Sequence, residues 1–166
     1  MSDIVRIKAE LREAILSKRK AQQHDNDRLT QNLLKVVEEI QPKRVAIYES
    51  YPSEPNTRDF IKLSPVPVIV PLTQADGSLS WTLTDGTETS IQSGDLMFIP
   101  ALAVDALGNR LGRGKGYFDR QLEDNPAGVS VFAVVFDDEI LDSVPTESHD
   151  RTVQGLVSEK RIVKIN

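Results

Sequence analysis

Residues 108–120, hereafter the glycine-rich segment, read GNRLGRGKGYFDR and combine glycines with cationic side chains. Four glycines fall within nine residues, and Arg110, Arg113 and Lys115 lie between them. Glycine leaves room for a ligand to approach backbone amides and permits positive φ. A helical pattern follows from Tyr117, so the segment is predicted to lead into a helix N-terminus. Amides, a helix dipole and cations together are the chemistry of a phosphate site.

The spacing matches neither of two common phosphate-binding motifs. Five residues separate Gly108 from Gly114, where the Walker A loop has four, and Gly116 replaces the Ser or Thr after the lysine. The dinucleotide-binding fingerprint also fails, since the glycines run G-x-G-x-G and no strand directly precedes them. A flexible surface loop is the alternative interpretation. Interleaved glycines and cations after an apolar strand favour anion binding, without specifying the anion.

Composition excludes several kinds of active site. The 166 residues include 20 basic and 25 acidic side chains, a net charge of −5, with two histidines and no cysteine. Disulfides, a thiolate nucleophile and thiolate metal sites are therefore excluded, and His24 and His149 are too few for a three-histidine centre. Net acidity also argues against a bulk nucleic-acid binder.

The charge is unevenly distributed along the chain. Residues 1–44 and 110–120 each carry +3, whereas the remaining stretches are acidic. Two basic islands in an acidic molecule are typical of a local anion site. For the first island the alternative is a solvated helix surface.

Hydrophobic periodicity predicts the elements that position these residues. Helices are predicted from Asp3, through Leu29–Ile40, at Thr57–Ile61 and at Tyr117–Leu122. Strands are predicted at Arg44–Tyr48, Val66–Pro71, Leu79–Leu83, Asp95–Pro100, Val129–Phe136 and Arg161–Ile165. The length and the alternation of helices with strands predict an α/β fold in one domain. The expected architecture is a three-layer α/β/α sandwich with a Rossmann-like, mostly parallel central sheet.

Residues 95–105, DLMFIPALAVD, together with the glycine-rich segment resemble the signature of the 5-formyltetrahydrofolate cyclo-ligase family, also called methenyltetrahydrofolate synthetases. Residues 8–12, KAELR, resemble the family's K-x-x-L-R; residues 53–57, SEPNT, resemble its G/S-E-x-x-T; and residues 144–150, VPTESHD, contain its P-x-x-x-H-D. The segment between Thr57 and Asp95 is shorter than usual, and GYFD replaces the commoner GYYD.

The resemblance implies an ATP- and Mg²⁺-dependent conversion of 5-formyltetrahydrofolate to 5,10-methenyltetrahydrofolate. Phosphorylation of the formyl oxygen activates the carbon, and the folate's own N10 then closes the ring. Because the substrate supplies the nucleophile in both steps, the protein has to orient groups and stabilise phosphoryl charge.

The resemblance also assigns roles to individual residues. The ATP-binding residues would be Lys8, Arg12, Arg110, Leu111, Gly112, Arg113, Gly114, Lys115, Gly116, Tyr117 and Phe118. The folate-binding residues would be Glu54, Arg113, Gly114, Lys115, Gly116 and Tyr117. Asp119 and Asp150 match the Mg²⁺ positions, and Arg113 and Lys115 are the candidates for catalysis at the transferred phosphoryl group.

Each assignment has a structural alternative. Lys8 and Arg12 could belong to a solvated helix face, and Glu54 could be a surface acid. Asp119 could pair with Arg120, and Asp150 could be a loop acid beside Arg151. His149 is interpreted as a structural partner and Trp81 as a core residue.

Two other function classes stay open at this point. The first is a sugar-phosphate isomerase or acyl-CoA transferase-like enzyme with Glu54 or His149 as its base. The second is a phosphate- or RNA-binding module in which Tyr117 and Phe118 stack on bases. We expect a cytoplasmic protein without a leader or membrane segment, a monomer or small homo-oligomer that acts on a small molecule and has no nucleic-acid or membrane partner.

Overall fold

The computed structural model describes residues 2–165. Its helices are α1 (Asp3–Ala21), α2 (Asn26–Ile40), α3 (Arg58–Leu63) and α4 (Tyr117–Asp124). Its strands are β1 (Arg44–Ile47), β2 (Val68–Thr73), β3 (Leu79–Leu83), β4 (Glu88–Thr89), β5 (Asp95–Pro100), β6 (Ala103–Val104), β7 (Arg110–Leu111), β8 (Ser130–Val134), β9 (Gly155–Val157) and β10 (Ile162–Lys164).

The first two helices are delimited by side-chain caps. The Ser2 hydroxyl accepts a hydrogen bond from the Val5 amide at 3.4 Å, and the Asp25 carboxylate accepts one from the Arg28 amide at 3.0 Å. Helix α2 ends at Gln41, which adopts a left-handed conformation (φ 53°) immediately before Pro42.

Eight strands form one sheet in the order β10-β9-β8-β5-β1-β2-β3-β4. The five central strands, β9, β8, β5, β1 and β2, are mutually parallel, and β10, β3 and β4 add antiparallel edges. The predicted mostly parallel α/β architecture is therefore confirmed.

Apolar side chains cover both faces of this sheet. On one face, α2 and α3 pack through residues such as Leu33 and Phe60 against Val45 and Phe98 of the central strands. On the other face, Phe118 and Leu122 of α4 pack against a second cluster. Full burial of a large apolar side chain contributes about 1.5–3 kcal/mol, which applies to Leu33 and Phe60, whereas Phe118 and Leu122 of α4 are only partly buried.

Helix α1 packs on the β6–β7 hairpin instead of the main sheet. Ile15 of α1 is buried against Leu102, Leu111 and Val144. The other buried residues of α1 are Lys8 and Arg19, so its inward face is largely charged. This docking brings α1 against the start of the glycine-rich segment.

Four strands were not expected from the sequence, namely β4, β6, β7 and β9. Each has only two or three residues, which is too short for hydrophobic periodicity to register. One of them, β7, occupies residues 110–111 and gives the glycine-rich segment a fixed start. Within residues 2–165, the structure contains no helix that combines the length and the hydropathy needed to span a bilayer.

Candidate functional site

The candidate site lies at the carboxyl ends of the parallel strands. Strand β1 pairs with β2 on one side and β5 on the other, so chain direction across the sheet reverses between β1 and β5. Ligands of open α/β sheets bind in the crevice that such a reversal leaves. The loop after β1 contains Glu54, and the chain after β5 leads through the β6–β7 hairpin into the glycine-rich segment.

Arg110 connects the glycine-rich segment with the end of strand β5. Its side chain is buried, and its Nη1 donates to the Pro100 carbonyl at 2.8 Å while Nη2 lies 3.5 Å from Asp119 Oδ1. Its Nε is buried without a hydrogen-bond partner among residues 2–165. Burial lowers the pKa of Arg110 and Asp119 opposes that shift, but an arginine remains charged. Arg110, which the resemblance assigns to ATP, thus pairs with Asp119 within the segment, and its neighbour Leu111 is a core residue.

Arg12 of α1 contacts the middle of the segment. Its Nε donates to the Gly112 carbonyl at 2.8 Å. Gly114 has a φ of 100°, and a Cβ there would lie 3.4 Å from Arg12 Cζ. Gly116 has a φ of 76°, and a Cβ there would meet Arg120 Nη1 at 2.8 Å. Both glycines are therefore favoured by their left-handed backbone conformation, whereas the neighbouring arginine side chains could move to accept a Cβ.

Arg113 connects the segment with the loop after β1. Its side chain is 39% exposed, its Nε lies 3.8 Å from Glu54 Oε2, and its guanidinium lies 6.0 Å from the ring centre of Tyr51. Glu54 is buried and accepts a hydrogen bond from the Tyr51 amide at 2.8 Å. The structure therefore brings together Glu54 and Arg113, which are 59 positions apart in the sequence. The alternative of Glu54 as a surface acid is wrong.

Lys115 is exposed, and its ammonium contacts no carboxylate in the described part of the chain. Its carbonyl accepts a hydrogen bond from Arg120 Nη2 at 3.0 Å. The side chain is therefore available to a ligand, while the backbone around it is held. Gly116 then caps α4, which presents Tyr117 at its first position.

The buried Lys8 forms an ion-pair cluster with the partly buried Asp150 and Glu147. The Lys8 ammonium lies 2.8 Å from Glu147 Oε1 and 2.5 Å from Asp150 Oδ2, and its side chain is 5% exposed. Burial alone lowers the pKa of Lys8, but the hydrogen bonds from Asp150 and Glu147 outweigh it and the pKa is raised. Burial likewise favours the protonated form of Asp150, yet the contact with Lys8 leaves its pKa lowered. A phosphate contact by Lys8 would compete with both carboxylates.

We predict that the stability lost in Lys8→Met depends on pH. Because the pKa of Asp150 is lowered in the folded protein, its contact with Lys8 stabilises the fold at pH values above about 4, the ordinary pKa of an aspartate. This stabilisation is lost as pH falls through the pKa that Asp150 has in the folded state. Because the pKa of Lys8 is raised in the folded protein, its charge stabilises the fold at pH values below about 10.4, the ordinary pKa of a lysine. This stabilisation is lost as pH rises through the pKa that Lys8 has in the folded state. Urea unfolding should give a constant difference in unfolding free energy between about pH 5 and pH 9. A difference that stays the same at pH 3 would contradict the ion-pair explanation.

Asp119 and Asp150 are the two carboxylates that the resemblance assigns to Mg²⁺, and each is in contact with a cationic side chain. Asp119 Oδ1 accepts a hydrogen bond from the Arg151 amide at 3.3 Å, which places Asp119 beside the residue that follows Asp150. No group of three or more metal-binding His, Asp or Glu side chains occurs within residues 2–165. Two carboxylates suit Mg²⁺, which completes its octahedron with waters and phosphate oxygens.

The alternative ion pair of Asp119 with Arg120 is not formed within residues 2–165, and Asp150, the loop acid beside Arg151, contacts Lys8. Arg120 donates to the Gly77 carbonyl at 2.7 and 2.9 Å, and Arg151 pairs with Glu123 at 3.1 Å. Arg120 therefore connects the segment with the β2–β3 turn, Arg151 contacts α4, and Asp119 and Asp150 contact Arg110 and Lys8 instead.

The aromatic candidates fall into two groups. Phe118 packs against both apolar clusters, and Trp81 is buried with its indole nitrogen 3.0 Å from Gln121 Oε1, as expected for a core residue. Tyr117 stays partly exposed beneath Arg120, whose guanidinium lies 5.5 Å from the ring centre. Trp81 is therefore a core residue, whereas Tyr117 and Phe118 are both partly exposed.

Sequence reasoning missed Tyr51 and the space beside it. Tyr51 is 65% exposed and lines a cavity of about 570 Å³, hereafter the Glu54 cavity. The sequence predicts only a connecting loop at residues 51–56. A tyrosine in the polar loop that follows strand β1 was the available signal, but local sequence does not distinguish an exposed ring from a core one.

The chain is similar to known proteins at the levels of family, sequence and fold. A family model described as the 5-formyltetrahydrofolate cyclo-ligase family matches residues 73–159, about half of the chain. A 5-formyltetrahydrofolate cyclo-ligase of Mycolicibacterium smegmatis is 47% identical over 72 residues, covering 43% of this chain and 37% of the relative. A mouse (Mus musculus) protein of the same name is 29% identical over 127 residues, covering 70% of this chain and 61% of the relative. These matches thus span less than two thirds of either relative.

A solved structure shares the fold. The 5,10-methenyltetrahydrofolate synthetase of Mycoplasma pneumoniae superposes with a TM-score of 0.80 at 22% identity, covering 92% of this chain and 98% of that structure. The similarity therefore extends over nearly the whole described sheet and its helices.

Proposed function

Because this chain belongs to the 5-formyltetrahydrofolate cyclo-ligase family, we propose that it converts 5-formyltetrahydrofolate to 5,10-methenyltetrahydrofolate with ATP and Mg²⁺. The observation that carries this proposal is the contact between Arg113 and Glu54. It joins a cationic, glycine-rich segment suited to phosphates to a buried carboxylate suited to the N–H donors of a pterin. We further propose that the chain acts as one domain, since a single sheet extends from Arg44 to Lys164.

In the proposed reaction the substrate supplies the attacking atom in both steps. The formyl oxygen attacks the γ-phosphorus of ATP and ADP leaves. The folate N10 then attacks the formyl carbon and loses its proton, the C–O bond breaks, and phosphate leaves. No side chain has to act as a nucleophile, which accords with the absence of cysteine.

The chain's own residues contribute charge and orientation. Lys115 and Arg113 would neutralise the transferring phosphoryl oxygens, and the amides of residues 112–116 would donate to the same group. Glu54 would hold the pterin, with Tyr51 alongside it. Asp119 and Asp150 would hold Mg²⁺, which supplies neutralisation of the triphosphate.

The alternatives are less well supported by the same contacts. An isomerase needs a free base, but Glu54 is engaged by the Tyr51 amide and Arg113, and His149 is 69% exposed beside Asp150. An RNA-binding module would stack bases on Tyr117 and Phe118, but Phe118 is partly buried against both apolar clusters, which leaves less of its ring available for stacking. We therefore favour the cyclo-ligase.

We expect the purified protein to form methenyltetrahydrofolate only when 5-formyltetrahydrofolate, ATP and Mg²⁺ are all present. Product absorbance measures turnover, and release of ADP should match it one to one. Omitting ATP or adding excess chelator are the controls. Folded protein that forms no product under these conditions would overturn the proposal, and ATP-independent isomerase activity would favour the alternative enzyme class.

A further inference from the structure

Arg120 contacts two parts of the chain that lie far apart in the sequence, and no step of the proposed reaction uses it. Its side chain starts on the first turn of α4, and its Nε and Nη2 donate to the Gly77 carbonyl at 2.9 and 2.7 Å. The same Nη2 donates to the Lys115 carbonyl at 3.0 Å. Because strand pairing holds the β2–β3 turn in the sheet, Arg120 attaches the glycine-rich segment to the sheet edge.

The contact with the Lys115 carbonyl determines the direction of the next amide. A trans peptide is planar, and its C=O and N–H groups point in opposite directions. The hydrogen bond from Arg120 to the Lys115 carbonyl therefore directs the Gly116 N–H away from Arg120. That N–H has no hydrogen-bond acceptor within residues 2–165. A backbone donor without an internal acceptor is available to a ligand oxygen.

Arg12 makes the same kind of contact three residues earlier in the segment. Its Nε donates to the Gly112 carbonyl at 2.8 Å, which directs the Arg113 N–H away from Arg12. Two arginines on different helices, α1 and α4, thus each fix one peptide of the same segment. The resemblance assigns Arg12 to ATP, whereas it gives Arg120 no role.

We propose that Arg120 is a positioning residue of the phosphate site, which directs the Gly116 N–H toward the phosphates of ATP by holding the Lys115 carbonyl. The glycines at positions 114 and 116 allow the intervening peptides to rotate when this contact is lost. ATP then binds only the fraction of molecules in which the amide has the correct direction, and saturating ATP restores that fraction. This inference rests on the proposed cyclo-ligase function for the identity of ATP as the ligand.

The test compares Arg120→Met with Arg28→Met, which removes an exposed arginine from α2. Methionine lacks the donors but matches arginine in helix propensity, so both helices should persist and both melting temperatures should stay near that of wild type. In Arg120→Met, KM for ATP should rise roughly five- to thirtyfold, the range for losing a hydrogen bond from a charged donor. Both kcat and KM for 5-formyltetrahydrofolate should change less than about twofold.

Two further variants and measurements separate positioning from a general structural role. Arg28→Met should keep the KM values of wild type, and Arg120→Lys should have an intermediate KM for ATP, because an ammonium donates without the guanidinium fork. Tryptic cleavage after Lys115, measured without ligand, should be several-fold faster in Arg120→Met than in wild type, since a segment with fewer contacts opens more readily. Calorimetric binding of ATP with Mg²⁺ and without folate should weaken by the factor found in KM.

Several results would overturn the proposal. These are equal KM values for ATP in wild type and Arg120→Met, an equal rise in KM for ATP and folate, unchanged cleavage after Lys115, and a wild type that does not bind ATP. A wild type that binds ATP more tightly than Arg120→Met, yet forms no methenyltetrahydrofolate, would overturn the proposed activity and support the role of Arg120.

Discussion

Replacing Lys115 with alanine is expected to lower kcat by about 10²–10³-fold, the loss typical of removing one preorganised charge stabiliser. The side chain is exposed and its ammonium pairs with no carboxylate in the described part of the chain, so its charge is available to transferring phosphoryl oxygens. The melting temperature should stay close to that of wild type, since substitution of an uninvolved surface residue changes stability by less than about 0.5 kcal/mol. Rates of methenyltetrahydrofolate formation and thermal unfolding measure the two quantities.

The matched control is Lys35→Ala, which removes an exposed lysine from the middle of α2, remote in sequence from the glycine-rich segment. It should retain full turnover. Lys115→Arg should recover part of the activity, because it restores the charge with a different geometry. Full activity in Lys115→Ala would refute a role for this ammonium in phosphoryl transfer.

Hydrophobic pattern was sufficient to predict the centre of the fold. The continuous apolar run at residues 95–100 is typical of a strand buried on both faces, and β5 lies in the middle of the parallel set. The Asp76-Gly77 turn likewise separates β2 from β3 as expected. Local sequence is sufficient in these cases because burial on both faces or a tight turn demands particular residue types within a few positions.

Charge on α1 was harder to interpret from sequence. Lys8, Arg12 and Arg19 recur at intervals of four and seven, a helical face that a hydropathy pattern assigns to solvent. In the structure this face points inward, because Asp150, Gly112 and Glu139 bind those three cations. The partners lie 100 or more positions away, so nothing in the local sequence distinguishes an inward cation from a solvated one.

In the candidate site too, local sequence predicted some features and could not predict others. The four glycines indicated a backbone that can adopt positive φ, and Gly108, Gly114 and Gly116 do so. The contact of Arg113 with Glu54 and the exposure of Tyr51 depend on how the β1 and β5 loops meet across the sheet. The family resemblance pointed to Glu54 and Arg113 separately, but their contact could be seen only in the folded structure.

The ion pair between Arg19 and Glu139 is the second place where one substitution should have a large effect. Both side chains are buried, Arg19 also donates to the Ala101 carbonyl at 2.8 Å, and Glu139 accepts from the Phe136 amide at 3.0 Å. Arg19→Met leaves the Glu139 carboxylate buried without its cation. We expect a loss of about 3–5 kcal/mol in unfolding free energy. This corresponds to a fall of roughly 6–20 °C in melting temperature for a chain of this size.

The double variant Arg19→Met/Glu139→Gln tests whether the cost comes from the unpaired charge. The amide oxygen that Glu139→Gln introduces can still accept from the Phe136 amide but carries no charge, so the double variant should be more stable than Arg19→Met alone. Equal stability of the two variants would show that lost packing, and not the buried carboxylate, destabilises the protein.

Because α1 also carries Arg12, which donates a hydrogen bond to the Gly112 carbonyl, loosening α1 should lower turnover as temperature approaches the reduced midpoint of unfolding. Turnover well below that midpoint should stay near wild type, which distinguishes this structural ion pair from the charge that Lys115 supplies to the reaction.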